Sequence, residues 1–233
     1  MICGGFAKHP TSIESKHQVQ WRAMRILIAD DHEMVRLGLR HLLAERPDWE
    51  ICAEAKTGRE AIALTQQFEP DVVVMDISMP QLNGLDATRM ICQRLPETKV
   101  VILTMHSSDK LTGEIVKAGA CGYVMKSDAA RDLVAAVKAV VNGGSYFTSE
   151  AANKLVGPHA MPASSVFENR LTPREREVVQ LLAEGKSSKE VAVSLGISTK
   201  TAETHRANVL RKLDLHSVVE LVRYAIQNKI VEV

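Results

Sequence analysis

Asp71-Val72-Val73-Val74-Met75-Asp76-Ile77-Ser78-Met79-Pro80 is the stretch whose reading decides the fold of this chain. Val72 to Met75 is a short apolar run without alternation, the pattern of a strand buried on both faces of a parallel sheet. It ends on a carboxylate, Asp76, and Met79-Pro80 with Asn83-Gly84 marks a turn beyond it. In an open α/β sheet ligands bind outside the carboxyl ends of the strands, so Asp76 stands where chemistry is expected. A lone Asp after a strand serves equally well to start a turn, and the neighbours must decide between the two.

On either side the same unit repeats. Strands are expected at Ile26–Ala29, Trp49–Ala55, Asp71–Asp76, Val100–Leu103 and Tyr123–Met125, each followed by a helix. The first helix carries Val35, Leu39, Leu42 and Leu43 on one face and stops before Pro47. The second carries Ala61, Ile62 and Leu64 and is closed by Pro70, and the third spans Leu85–Leu95 before Pro96. The fourth, Asp109–Ala118, carries Leu111 and Ile115 and stops at Gly119; the fifth, capped by Asp128, places Leu133, Val137, Val140 and Val141 on one stripe. The Glu50, Cys52, Glu54 alternation suits an edge strand. Strands alternating with helices imply right-handed βαβ units, hence an α/β, (βα)5 flavodoxin-like doubly wound parallel sheet.

Composition agrees with a two-domain globular protein. The chain has 233 residues, 45% of them hydrophobic and 24% charged, which excludes a disordered or membrane-spanning class. No apolar run approaches the ~20 residues of a membrane span. Residues 1–23 lack a secretory h-region and are expected to be a disordered extension, with Met24 as the natural start. Cys3, Cys52, Cys92 and Cys121 form no CxxC pair and read as free thiols in a reducing cytoplasm. The net charge of +1 conceals an asymmetry: residues 25–145 carry −3 and residues 171–233 carry +2.

Four of the five expected strands end in Asp30-Asp31, Asp76, Thr104 and Lys126. Carboxyl ends of parallel strands share one edge, so these side chains can meet in one pocket. Three carboxylates together raise one another's pKa, and a hard cation such as Mg²⁺ relieves the repulsion. A carboxylate is also a nucleophile able to form an aspartyl-phosphate, with lysine and a hydroxyl to steady phosphoryl oxygens.

These residues resemble the receiver domain of two-component response regulators over roughly 25–145. The resemblance implies Asp76 as phosphoacceptor and Asp30, Asp31, Asp76 and the Ser78 carbonyl as ligands of Mg²⁺. It further implies Lys126 as the phosphate-contacting lysine and Thr104 with Tyr123 as a switch pair. Ser127 stands after Lys126, where many receivers have proline, which leaves the loop geometry open. Ser78 and His106 flank the pocket and are expected to tune dephosphorylation.

Residues 145–170, rich in Ser, Gly and Pro around one short helical candidate at Glu150–Val156, are expected to be a linker between a receiver at 24–144 and a second domain at 171–233. That domain is expected to be small and all-α. Thr172-Pro173-Arg174-Glu175 combines a threonine N-cap, proline at N1 and a capping-box glutamate. Ser187 and Glu190 repeat the capping box, Gly196-Ile197-Ser198 forms a turn, and Thr199–Leu213 is helical, giving a helix-turn-helix at about 188–207. Lys200, Arg206, Arg211 and Lys212 against Glu203 make the last of these helices +3, suited to phosphate contact. A final helix is expected at Ser217–Asn228.

Leu171 to Val178 and Lys200 to Arg206 resemble the LuxR-type helix-turn-helix domain, and the chain from 25 resembles a NarL/FixJ-type response regulator. The resemblance implies double-stranded DNA as partner, read by Lys200, Thr201, Glu203, Thr204, Arg206 and Ala207, with the final helix as dimer contact. It implies a cytoplasmic transcription factor phosphorylated by a sensor histidine kinase, dimerising in response, and at most slowly dephosphorylating itself. Two other classes are weighed against it: a phosphate-independent interaction module, disfavoured by the intact pocket, and a phosphohydrolase, disfavoured by the lack of further catalytic motifs.

Overall fold

A computed structural model describes residues 22–105, 108–147 and 171–231. Strands β1 (Met24–Ala29), β2 (Trp49–Ala55), β3 (Val72–Asp76), β4 (Lys99–Thr104) and β5 (Gly122–Met125) form one sheet. All pairings are parallel, in the order β2-β1-β3-β4-β5. The alternating Glu50–Glu54 strand does lie at an edge, where one side of its ladder is open to water. The helices between the strands are α1 (Glu33–Ala44), α2 (Gly58–Phe68), α3 (Gly84–Arg94), α4 (Asp109–Lys117) and α5 (Ala129–Val141).

The unalternating strands are apolar because both faces are covered. One cluster joins Leu27, Val73, Met75 and Ile102 to α2, α3 and α4 through Ile62, Leu85, Ile91 and Ile115. The other joins Ile26, Ile28, Val74 and Leu103 to α1 and α5 through Leu39, Leu43, Leu133 and Val137. Burial of this kind stabilises by ~25 cal/mol per Å² of apolar surface, enough to outweigh the conformational preferences of the individual residues.

Two expectations about α5 fail. Val141 is 41% exposed, whereas Val140 beside it in the same turn is fully buried, so the covered stripe of the helix ends on Val140. Asp128 makes no side-chain cap bond; it ends a 3-10 turn, Lys126–Asp128, that leads into α5. Cys52, Cys92 and Cys121 are unpaired but half-buried rather than fully buried.

The C-terminal domain holds four helices among the described residues: α6 (Pro173–Ala183), α7 (Ser188–Leu195), α8 (Thr199–Leu213) and α9 (Val218–Gln227). Both capping boxes form, Thr172 with Glu175 and Ser187 with Glu190. Gly196 adopts φ +63 after α7, and the Ser198 side chain accepts from Thr201 N to start α8, so the turn between the two helices is built as its residues suggest. Val178, Leu181, Val191, Ala202, Val209 and Leu221 close a separate core. No described helix is long and apolar enough to cross a membrane. The expected extension at 1–21, the helical candidate Glu150–Val156 with linker residues 148–170, and His106 lie outside the described residues.

Candidate functional site

β1 and β3 are neighbours, while β2 lies on the far side of β1 and β4 beyond β3. The chain therefore reverses its direction of winding between β1 and β3, where open sheets form their crevice. Asp76 closes β3 opposite Leu103 of β4, and Asp30 directly follows β1. The two carboxylates thus face each other across the switch point.

Both are buried, Asp30 at 0% and Asp76 at 2% exposure. Lys126 Nζ, at the start of the 3-10 turn after β5, lies 2.7 Å from Asp30 Oδ2 and 3.0 Å from Asp76 Oδ2. Apart from this ammonium, those two oxygens have no hydrogen-bond partner among the described residues. One lysine charge therefore stands against two buried carboxylates whose lone pairs are only partly used. Burial pushes the Asp76 carboxyl up to about 6, with the Asp30 charge adding to the rise and Lys126 opposing it. Desolvation, more than the mutual repulsion anticipated from sequence, is the larger cause. For Lys126, burial works downward, but hydrogen bonding to Asp30 and the Asp76 charge outweigh it and raise its pKa.

One ligand atom each from Asp30, Asp31, His32 and Asp76 lies within 4.8 Å of the others. Oxygen donors, excess negative charge and the two incompletely satisfied buried oxygens fit a divalent cation. Ser78, half-buried, lines the same cleft as Asp31. Thr104 is 2% exposed at the end of β4, and Tyr123 is 3% exposed in β5, where it faces Ile102 and packs edge-on against Phe147 with centroids 6.2 Å apart. Tyr123 is thus a core aromatic on the sheet face covered by α2, α3 and α4.

Two pocket residues escaped the sequence reading. His32 Nδ1 lies 2.7 Å from Asp31 Oδ1, and its backbone N–H donates to Asp30 Oδ1 at 2.8 Å. Arg36, 5% exposed, donates through Nη1 to the Asp30 carbonyl at 2.8 Å and so props the β1–α1 turn from behind. The spacing offered a signal for Arg36: it lies three and seven positions before Leu39 and Leu43, the residues the helix buries against the sheet.

In the second domain the polar face of α8 is open. Lys200, Thr201, Glu203, Thr204 and Ala207 are exposed and Arg206 is half-exposed. Thr204 Oγ1 donates to the Lys200 carbonyl at 2.9 Å. Lys212 departs from the expected role: its ammonium sits 2.6 Å and 2.8 Å from the two Glu175 oxygens, joining α8 to α6. The +3 attributed to this helix therefore overstates the charge available to a phosphate backbone.

The geometry has counterparts in known proteins. Residues 26–138 match the family "Response regulator receiver domain", and residues 169–225 match "Bacterial regulatory proteins, luxR family". The chain is a response regulator of the NarL/FixJ family. Such a regulator is a DNA-binding transcription factor, not an enzyme. The chain is 38% identical over 208 residues to the transcriptional regulatory protein MctR of Rhizobium johnstonii, covering 89% of this chain and 95% of the relative. To the transcriptional regulatory protein LiaR of Bacillus subtilis it is 37% identical over 214 residues, covering 89% and 99%. Among solved structures, RcsB of Salmonella enterica serovar Typhimurium, bound to promoter rprA with phosphomimetic beryllofluoride, aligns with TM-score 0.53 at 26% identity, covering 86% of this chain and 97% of RcsB. A receiver implies a histidine kinase as its partner.

Proposed function

We propose that Asp76 accepts a phosphoryl group from a sensor histidine kinase, and that its phosphorylation promotes dimerisation and promoter binding. The observation that carries this is the convergence of Asp30, Asp76 and Lys126, with Asp30 Oδ2 and Asp76 Oδ2 buried and open to further ligands.

Asp30, Asp31, Asp76 and the Ser78 carbonyl would hold Mg²⁺. When bound, the ion would neutralise the carboxylates and offset charge on the phosphoryl oxygens. An Asp76 oxygen attacks phosphorus, the P–N bond to the kinase histidine breaks, and the imidazole leaves with the bonding pair. Lys126 steadies one phosphoryl oxygen by charge and the Thr104 hydroxyl donates to another. Movement of Thr104 toward the phosphoryl group would free space beside Tyr123 and remodel the α4–β5 face. Lys200, Thr201, Glu203, Thr204, Arg206 and Ala207 would face the major groove. The promoter-bound RcsB supports the DNA arm of this reading, and membership of the response-regulator family supports a cytoplasmic site of action.

Incubation with acetyl phosphate and MgCl2, followed by intact-protein mass spectrometry, tests the acceptor. Wild type is expected to gain one phosphoryl group and Asp76→Ala none. Sedimentation with beryllofluoride and Mg²⁺ tests the switch: a monomer-to-dimer shift dependent on Asp76 is expected. Label on Asp76→Ala at the wild-type level would refute the assignment.

A further inference from the structure

His32 occupies the N-cap position of α1, with φ −86 and ψ 114, yet its side chain makes no cap bond. Asn, Asp, Ser or Thr would serve a helix start better there. The imidazole lies instead against the acidic group. Its Nδ1 is 2.7 Å from Asp31 Oδ1 and 3.4 Å from Asp30 Oδ1, while 66% of the side chain stays exposed.

These separations are close to those between ligands of a common ion. In an octahedron with bonds of about 2.1 Å, adjacent donors lie about 3.0 Å apart and opposite donors about 4.2 Å. The two distances from Nδ1 fall on either side of that edge, and the donors of Asp30, Asp31, His32 and Asp76 all lie within 4.8 Å of one another. Among the described residues no other three His, Cys, Asp or Glu side chains meet in this way.

Charge and space agree. Asp30, Asp31 and Asp76 against Lys126 leave two negative charges, which a divalent ion balances. Asp30 Oδ2 and Asp76 Oδ2 are buried and, apart from the Lys126 ammonium, unbonded among the described residues. Asp31 and Ser78 line a cleft of about 210 Å³ whose wall includes Gln180, which accepts from the Asn83 N–H of the β3–α3 loop at 2.7 Å. A water takes up about 30 Å³, so water can fill the positions of an ion that the protein leaves open.

The nitrogen decides which ion gains. Carboxylate and water oxygens suit Mg²⁺, whereas an imidazole nitrogen is a softer donor that Co²⁺, Ni²⁺ and Zn²⁺ accept far better. With Nδ1 on the ion the ring proton stands on Nε2, where the exposure of the side chain lets water accept it. We propose that His32 is a nitrogen ligand of the Asp76 pocket and turns its preference from Mg²⁺ toward divalent first-row transition ions. Such an ion then competes with Mg²⁺ for the pocket. The inference deepens the reading of Asp30, Asp31 and Asp76 as a metal site and rests on it.

Isothermal titration calorimetry of the full chain with Mg²⁺ and with Co²⁺ compares wild type, His32→Ala and His32→Asn. Neither variant removes a cap bond, so α1 is expected to form in both. Both are expected to weaken Co²⁺ about tenfold and Mg²⁺ less than about twofold. Proton NMR of the Co²⁺-loaded wild type in water is expected to show an exchangeable, strongly shifted imidazole N–H signal that both variants lose. An equal fall in affinity for the two ions leaves His32 only a support for Asp31 and overturns the ligand. Unchanged Co²⁺ affinity, or a signal retained in the variants, overturns it as well. Asp31→Asn tests the underlying reading separately. If it binds both ions as tightly as wild type, or if wild type binds neither, the metal pocket itself falls and His32 with it.

Discussion

Gly84 stands so close to the backbone of Asp76 that a Cβ on Gly84 would lie 1.9 Å from the Asp76 carbonyl oxygen. The first turn of α3 can approach the end of β3 only because the side chain is missing, and this approach sets the β3–α3 loop over the pocket. Gly84→Ala is expected to force strand and helix apart, at a cost of about 3 kcal/mol. Gly38, mid-way along α1, gives the contrast, because a Cβ there would meet nothing within 4 Å. Gly38→Ala is expected to stabilise by about 1 kcal/mol through helix propensity. Urea unfolding of both variants measures the difference, and equal effects would remove the special place given to Gly84.

The Asp76 carboxyl, pushed up to about 6 by burial and by Asp30 against the opposing Lys126, should be visible in stability. A folded pKa above the unfolded value is favourable below the unfolded pKa of 3.8 and loses that advantage as pH rises through about 6. Asp76→Asn is therefore expected to stabilise the metal-free protein at neutral pH by on the order of 2 kcal/mol. The gain should vanish toward pH 4 and shrink when Mg²⁺ is added. Urea unfolding across pH, with EDTA or with MgCl2, reads all three conditions.

Glu175 works in the opposite sense. Burial acts to raise its pKa, but the hydrogen bonds from Lys212 and Thr172 outweigh it and hold the carboxyl below its usual value. The resulting stability is present above the unfolded value of 4.5 and is lost as pH falls through the depressed folded pKa. Glu175→Gln should cost about 1 kcal/mol at neutral pH. Thermal unfolding of wild type and variant should converge on acidification, and a constant gap down to acid pH would count against the ion pair.

The pairing of Lys212 with Glu175 also separates two kinds of lysine on one helix. If Lys200 and Arg206 meet phosphates, replacing either by Ala should lower the slope of log K against log salt by about 0.9. Lys212→Ala should leave that slope unchanged while lowering the melting temperature. Fluorescence anisotropy with a labelled duplex, over a range of salt, distinguishes a positional charge from a merely helical one.

Much of this was readable in residue order. The five buried strands announce themselves as apolar runs because both of their faces are covered, and the capping boxes at Thr172 and Ser187 form because their partners lie three residues away. Where a residue's role depends on something distant, the pattern misleads. Val141 belongs to the apolar stripe of α5 by spacing, yet it is exposed where Val140, one position earlier, is the residue the core covers. Asp128 has the identity of a cap, but the 3-10 turn it ends places its backbone outside cap geometry. Lys212 counts as a free positive charge until Glu175, on another helix, is seen to neutralise it.

Order along the chain alone determined that Asp30, Asp31, Asp76, Thr104 and Lys126 would end parallel strands, since local apolar runs and turn residues set where strands stop. Only tertiary structure decided that Arg36 would brace Asp30, that His32 would join the acidic group, and that Gln180 would bind the loop beside Asp76. The reason is physical. An apolar run has one favourable destination, the core, whereas a polar side chain is satisfied equally by water and by a partner a hundred residues away.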